Sequence, residues 1–471
     1  MKVKESSYIR ANKPLFKKLV SELLKSYEYA SVLVNDSFGM RYSVSKTGAN
    51  VGEDDLNTAK GFVVKVYEGG CYAEYSGNEI SEEVIGRILE FIKDELVTIG
   101  GSMEKSQYPL PTDEAANFSK STDYDIDPVE MGDEAIIAKL TDVHKRGMAY
   151  DERILNCGVM CAFQKYSKLF LSKNKDLEQN VMWSSGAIFV NSKRGDEVKE
   201  YYTSASNLGG MEILDTIFAK VEKAAGVAIE LLDSEPLKPG EYECVCDPQT
   251  TGMIVHEAFG HGVEMDMFVK DRALAKKFMG EYVASPLVTM HDGNAVDQTA
   301  TYFFDDEGTV SSDTVIIDKG VLVSGISDLQ SAMALGTKPT GNGRRESYKR
   351  KTYTRMTNTY FEPGTDKVED MIASVKDGLL LENPESGMED PTNWGIQCMV
   401  NIGREIKDGK LTGRIFSPIV LTGYVPDLLK SISMMSDVKE LDGAGMCGKG
   451  YKEWVKVSDG GPYIKARIRL G

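Results

Sequence analysis

Two of the chain's four histidines, His256 and His261, lie five residues apart, with Glu257 beside the first. No other feature constrains the backbone as tightly. On an ideal helix of 3.6 residues per turn, positions five apart point roughly 140° away from each other. The familiar zinc-peptidase pattern spaces its histidines four apart, which stacks both rings on one face. A spacing of five reaches one ion only where the helix widens or ends. A π-type turn brings residues i and i+5 into line. Gly260 and Gly262 flank His261, where a helix unwinds at little cost. Asp247 and Pro248 read as the N-cap and first position of the helix that carries the motif.

Two histidines do not complete a catalytic zinc site, which takes three protein ligands and keeps a fourth position open. The remaining candidates are His144, His291, Glu264, Asp266 and the cysteines. His144, in Val-His-Lys-Arg, is expected on a solvated helix face, and His291, in Met-His-Asp-Gly, in a turn. Cys447 stands in the glycine-dense run 442–450, which permits close backbone approach, and a thiolate there would bind zinc tightly. Cys244-Val245-Cys246 is expected to pack within a strand, its two thiols on opposite faces. Gly341-Asn342-Gly343 lacks the Lys-Ser/Thr pair that opens a phosphate-binding helix. Arg344 and Arg345 are candidates for a second electrophile or substrate contact.

The 471 residues carry 55 Lys plus Arg against 72 Asp plus Glu, a formal charge of -17. That balance argues against a nucleic-acid partner, whose phosphates need clustered positive charge. No window approaches 18 uninterrupted apolar residues, and no apolar run near the N-terminus reads as a secretory signal, so no membrane partner is expected. The seven scattered cysteines suit a reducing compartment, and the expected location is cytoplasmic.

The expected fold class is α+β, with two N-terminal α+β units followed by a β-rich C-terminal domain. Residues 1–100 form the first unit. Asn12 is expected to cap its first helix and Ser81 its second, the latter with the stripe Ile85, Ile88, Leu89, Ile92 and Leu96. Residues 101–130, with Gly100-Gly101 at their start and three prolines within them, read as a linker or long loop. Residues 131–235 form the second unit, ending in a helix with Leu214, Ile217, Phe218, Val221, Ala225 and Ala228 on one face. Residues 236–471 are mostly strands and turns and carry the metal site.

The motifs then resemble one family. His256-Glu257-Ala258-Phe259-Gly260-His261-Gly262-Val263-Glu264, Asp305-Asp306-Glu307-Gly308-Thr309, Gly341 to Tyr348, Arg355-Met356-Thr357-Asn358-Thr359-Tyr360 and Met446-Cys447-Gly448-Lys449 occur in the order of the TldD/PmbA metallopeptidases, on the branch that keeps its metal motif. One departure is the continuation Gly450-Tyr451-Lys452, where the family has any residue followed by Gly-Gln.

The resemblance implies that His256, His261 and Cys447 ligate one zinc ion per chain. It implies that Glu257 is the general base and that the C-terminal region is a metallopeptidase domain. The implied substrate is an unfolded peptide or small protein, held by strand addition. The implied assembly is a dimer, either of two copies or with a related chain that lacks the metal motif. Two other readings stand beside this one: a metal-free hydrolase with Cys447 as nucleophile and a histidine as base, and a non-catalytic subunit of a peptidase complex.

Overall fold

One eight-stranded sheet runs through both N-terminal units. The computed structural model describes residues 1–102, 108–451 and 453–471; residues 103–107 of the expected linker, and Lys452 of the departing loop, lie outside the described residues. The sheet is built on three long strands, Tyr29–Ser45, Ile154–Leu171 and Lys175–Arg194, of 17, 18 and 20 residues. Strands of that length exceed the usual five or six residues severalfold. Each can therefore carry one unit on one end and the other unit on the other. Tyr29–Ser45 pairs with Ala59–Glu68 along its first half and Gly48–Glu53 along its second, while Ile154–Leu171 lines its opposite edge. The joint between the units is thus backbone hydrogen bonding within a sheet. Within the expected linker, Ala116–Ser121 is a strand, parallel to Lys175–Arg194.

Two helix pairs cover the ends of this sheet. Ser7–Leu23 and Glu82–Ser102 bury Phe16, Leu19, Leu23, Ile85, Ile88 and Ile92 against Val32, Phe62, Val64 and Leu169. Asp133–Met148 and Ile213–Glu230 bury Ile136, Leu140, Ile217 and Val221 against Tyr42, Val159, Phe163 and Ile188. Ser81 caps its helix as expected, its Oγ accepting from the Val84 N–H at 3.2 Å. The first helix is capped by Ser6 instead of Asn12: the Ile9 N–H donates to Ser6 Oγ at 3.1 Å. Asn12 turns its amide back to the Tyr8 carbonyl at 2.9 Å, and Pro14 is accommodated inside the helix. Phe218 leaves its expected stripe for the surface and lies under the Arg146 guanidinium.

The C-terminal region builds an eleven-stranded sheet, part of which closes on itself. Gly240–Cys246 pairs with Asp377–Asp390, that strand with Gly395–Lys407, then Ile419–Tyr424, then Ser458–Leu470, which returns to Gly240–Cys246. The ring of five has no free edge among its members. Cys244 and Cys246 are two residues apart, so the strand's period of two puts both thiols on one face, not on opposite faces as expected. That face lies in the main core, and Val245 turns the other way, towards Met371, Leu380 and Ile406. No described helix is long and apolar enough to cross a membrane.

The turn 305–308 docks the two halves of the molecule together. Lys65 and Lys168 of the N-terminal sheet reach Glu307 and Asp306 at 2.9 and 2.5 Å. Gln179 donates to the Phe304 carbonyl and accepts from the Phe303 N–H. Gly308 has φ +74°, and a Cβ there would stand 2.3 Å from the Phe170 ring. Gly308→Ala therefore meets both a backbone and a packing penalty, and we expect it to cost about 1–3 kcal/mol of stability in urea unfolding. A loss within about 0.3 kcal/mol would show that the docking is soft.

Candidate metal centre

The widened turn that the histidine spacing demands is present. Asp247 caps the helix Pro248–Met253, accepting from the Thr250 N–H at 2.7 Å. The helix passes directly into a π-helical stretch, Ile254–Gly260, closed by the His261 N–H donating to the His256 carbonyl. The His256 and His261 rings consequently meet edge to face, 5.1 Å between centroids. Cys447 arrives from the strand Met446–Lys449, its Sγ 3.4 Å from His261 Nε2. One ligand atom from each of the three residues lies within 4.8 Å of the others.

The donor set fits a zinc-type ion. Two imidazoles and a thiolate are the nitrogen and sulfur ligands that such ions select. Among the described residues His256 Nδ1 is buried without a hydrogen-bond partner, with the Asp459 carboxylate 3.7 Å away. Burial alone would push the Cys447 thiol up, but hydrogen bonds and positive charge from His256 and His261 bring it down to about 4.

A buried ionic frame holds the ligands from behind. Glu264, 2% exposed, places Oε2 3.4 Å from His261 Nδ1. Lys449 Nζ donates to Glu264 at 2.9 Å, to Asp266 at 2.8 Å and to the Thr354 carbonyl at 3.1 Å. Burial opposes the Glu264 charge, yet Lys449, then His261, hold its carboxyl down at about 2. Arg355, 1% exposed, donates to the carbonyls of Cys447 and Glu453, tying together both strands of the thiol's hairpin. Glu264 and Asp266, weighed as ligands from sequence, act in this outer frame. Lys449 and Arg355 were inside the sequence words already noted, but their roles depend on contacts across about ninety to 185 positions, invisible to local pattern.

Glu257 borders an open cavity with about 1520 Å³ of empty space, shared between the N-terminal sheet and the segments 384–387 and 442–446. Burial raises its carboxyl above the ordinary value. Gly387 makes room for it: a Cβ there would lie 2.5 Å from Glu257 Cγ.

The other sequence candidates sit elsewhere. His144 is half-buried and bonds the Cys157 carbonyl at 2.6 Å, joining helix to sheet where a solvated face was expected. His291 lies in the strand Met290–Gly293, not a turn, against Asp313 at 2.6 Å and stacked on Tyr360. Arg344 donates to the Met356 carbonyl, and Arg345 pairs with Glu74 at 2.7 Å. Both arginines border a different cavity from the one beside Glu257.

Residues 239–468 match the PmbA/TldA metallopeptidase C-terminal domain. The C-terminal region of the chain is a TldD/PmbA-family domain. A metalloprotease of Methanothermobacter thermautotrophicus is 30% identical over 60% of this chain and 62% of its own length. A zinc metalloprotease TldD homolog of Saccharolobus solfataricus is 27% identical over 71% of this chain and 76% of its own. The chain spans about half the length of the bacterial TldD homologs it matches, such as that of Haemophilus influenzae, at 35% identity over 54% of this chain. Among solved structures, TldE of Thermococcus kodakarensis superposes with TM-score 0.75 at 16% identity, covering 97% of this chain and all of its own. That likeness speaks to the fold of the family.

The low thiol value gives a direct check. In metal-free protein at pH 5.5, Cys447 is the cysteine expected to react first with iodoacetamide, since the buried thiols Cys157, Cys161, Cys244, Cys246 and Cys398 are all pushed up. A thiol held near 4 is already a thiolate there, and its reactivity falls only as pH drops through that value. Peptide mass mapping should show this, and His261→Ala should abolish the low-pH reactivity.

Proposed function

We propose that this chain is a metal-dependent peptidase, with zinc its resident ion, acting on unfolded peptides or small proteins in the cytoplasm. The carrying observation is that His256 and His261, brought together by a widened turn, meet Cys447, while Glu257, next to His256 within that turn, borders an open cavity. The names of the relatives support the same reading.

When bound, the ion polarises a scissile carbonyl and lowers the pKa of water towards about 7. The chain's residues supply the rest. Glu257 takes the proton of the attacking water and returns it to the leaving amine nitrogen. Its burial-raised carboxyl suits both directions of transfer. Glu264 fixes the orientation of His261, and Lys449 fixes Glu264. The cavity takes the substrate in extended form, held mainly through its backbone. We further propose that the chain works as a dimer, with a second copy or with a related chain lacking the metal motif.

One observation favours a second reading: Cys447 and His261 at 3.4 Å also have the spacing of a nucleophilic thiol and its base. Chelation separates the two. For the metal-dependent enzyme, peptide turnover disappears on chelation and returns with zinc, and metal analysis finds about one ion per chain, lost in both His261→Ala and Cys447→Ala. Glu257→Gln keeps the metal and peptide binding but loses on the order of a hundredfold or more in turnover. Turnover that survives the chelator, or an unchanged Glu257→Gln, would sink the proposal.

A further inference from the structure

A second cavity, with about 900 Å³ of empty space, lies on the far side of the Cys447 hairpin. Met446, the residue beside the thiol, borders both cavities. In this hairpin Cys447 stands opposite Val455, and Met446 opposite Lys456. Adjacent positions on a strand face opposite ways. The thiol turns to the histidines, and Lys456 lines the second cavity together with Met446, Trp454 and Val455.

Lys456 is 7% exposed, and no carboxylate among the described residues forms an ion pair with it. Its Nζ donates to the Ala444 carbonyl at 2.9 Å and rests 4.4 Å from the centre of the Trp183 ring. Asp442 and Asp54 act on it only from a distance. Asp442 is already held by the hydroxyls of Ser204 and Ser206, and Asp54 by Arg41 and Asn57. Burial with so little opposing charge pulls the ammonium down to about 7. A buried cation left this way is costly to the fold. Of the cavity's other cations, Lys168 is paired with Asp306 and Arg345 with Glu74, while Arg344 donates to the Met356 carbonyl and stands over the Tyr302 ring.

The cavity beside Glu257 has the opposite character. Glu200, Glu385, Asp442 and Asp459 line it, and no lysine or arginine does. A free carboxylate is repelled there, whereas the second cavity sets Lys168, Arg344, Arg345 and Lys456 against Asp305, Asp306 and Glu346.

We infer that the second cavity receives the C-terminal end of the peptide substrate, with Lys456 binding its terminal carboxylate. The inference rests on the peptidase reading above. An ammonium has three donors, and Lys456 uses one on Ala444. The incoming carboxylate brings the missing negative charge and accepts charge-assisted hydrogen bonds. The scissile bond is then set from the end of the substrate, with the chain passing Met446 on its way to Glu257.

Trp183 and Trp454, two of the chain's three tryptophans, border the second cavity, so tryptophan fluorescence reports its occupation. The test titrates Glu257→Gln protein with an N-acetylated tetrapeptide of alanine and leucine, as free acid and as C-terminal amide. A third probe is an amide with one internal glutamate. The acid should bind roughly tenfold or more tightly than the plain amide, as a charged hydrogen bond at a buried site implies. Adding Lys456→Met should bring acid and amide within about twofold of each other. Equal affinity of acid and amide in the parent overturns the carboxylate site and leaves the peptidase reading standing; this comparison needs no further variant to fold. Full affinity of the internal-glutamate amide overturns the terminal assignment. Binding of none of the probes, together with no turnover by the wild type, overturns this inference and the peptidase reading at once.

Discussion

The candidate metal centre depends on a backbone that holds His256 and His261 side by side although they are five residues apart. An α-helix cannot do this, and the π-helical stretch Ile254–Gly260 can. Such a turn has weaker internal support than an α-helix, so packing must hold it. Phe259 lies against Trp394 at 5.8 Å between ring centres, and Met356 fits so closely that a Cβ on Gly260 would stand 2.2 Å from its sulfur. On the next turn, Gly262 presents its N–H to Glu389 at 2.9 Å. The two glycines are therefore packing requirements here as much as points of flexibility.

The third ligand is brought in by a different device. Cys447 rides on a short two-stranded hairpin of four residues a strand. Arg355 grasps carbonyls on both strands, and Lys449 ties the hairpin to the carboxylates behind His261. The same ions thus set the thiol and the imidazole together. Breaking one buried member leaves the others uncompensated, which is why such networks hold geometry well even where they add little net stability.

Much of this was legible in the sequence, and for physical reasons. The spacing of His256 and His261 stated a geometric conflict whose resolution was a wide turn. Asp247-Pro248 and Ser81 are short-range capping signals, and both caps formed. The stripe of Ile85, Ile88 and Ile92 follows helical period and is buried. What escaped was long-range. Nothing local says that Tyr29–Ser45 and Ile154–Leu171 zip two units into one sheet. Asn12 beside Pro14 looked like a helix start because the true cap, Ser6, lies before a less periodic turn. Arg344 and Arg345 lacked any sequence sign of their partners, Met356 and Glu74.

The strand Ser458–Leu470 has a consequence for the order in which this molecule comes to life. It touches Gly240–Cys246, Asn358–Phe361, Ile419–Tyr424 and Met434–Asp442, and it closes the ring beneath the wide turn. Cys447 also follows His261 by 186 positions. A chain leaving the ribosome can assemble its N-terminal sheet early, since domains fold as they emerge. The core under the histidines has to wait for residue 470, because its central strand does not yet exist. Partly made molecules hold the histidines without the thiol and the floor without its keystone. The candidate metal centre is thus assembled only after residues nearly two hundred positions beyond its histidines have been made.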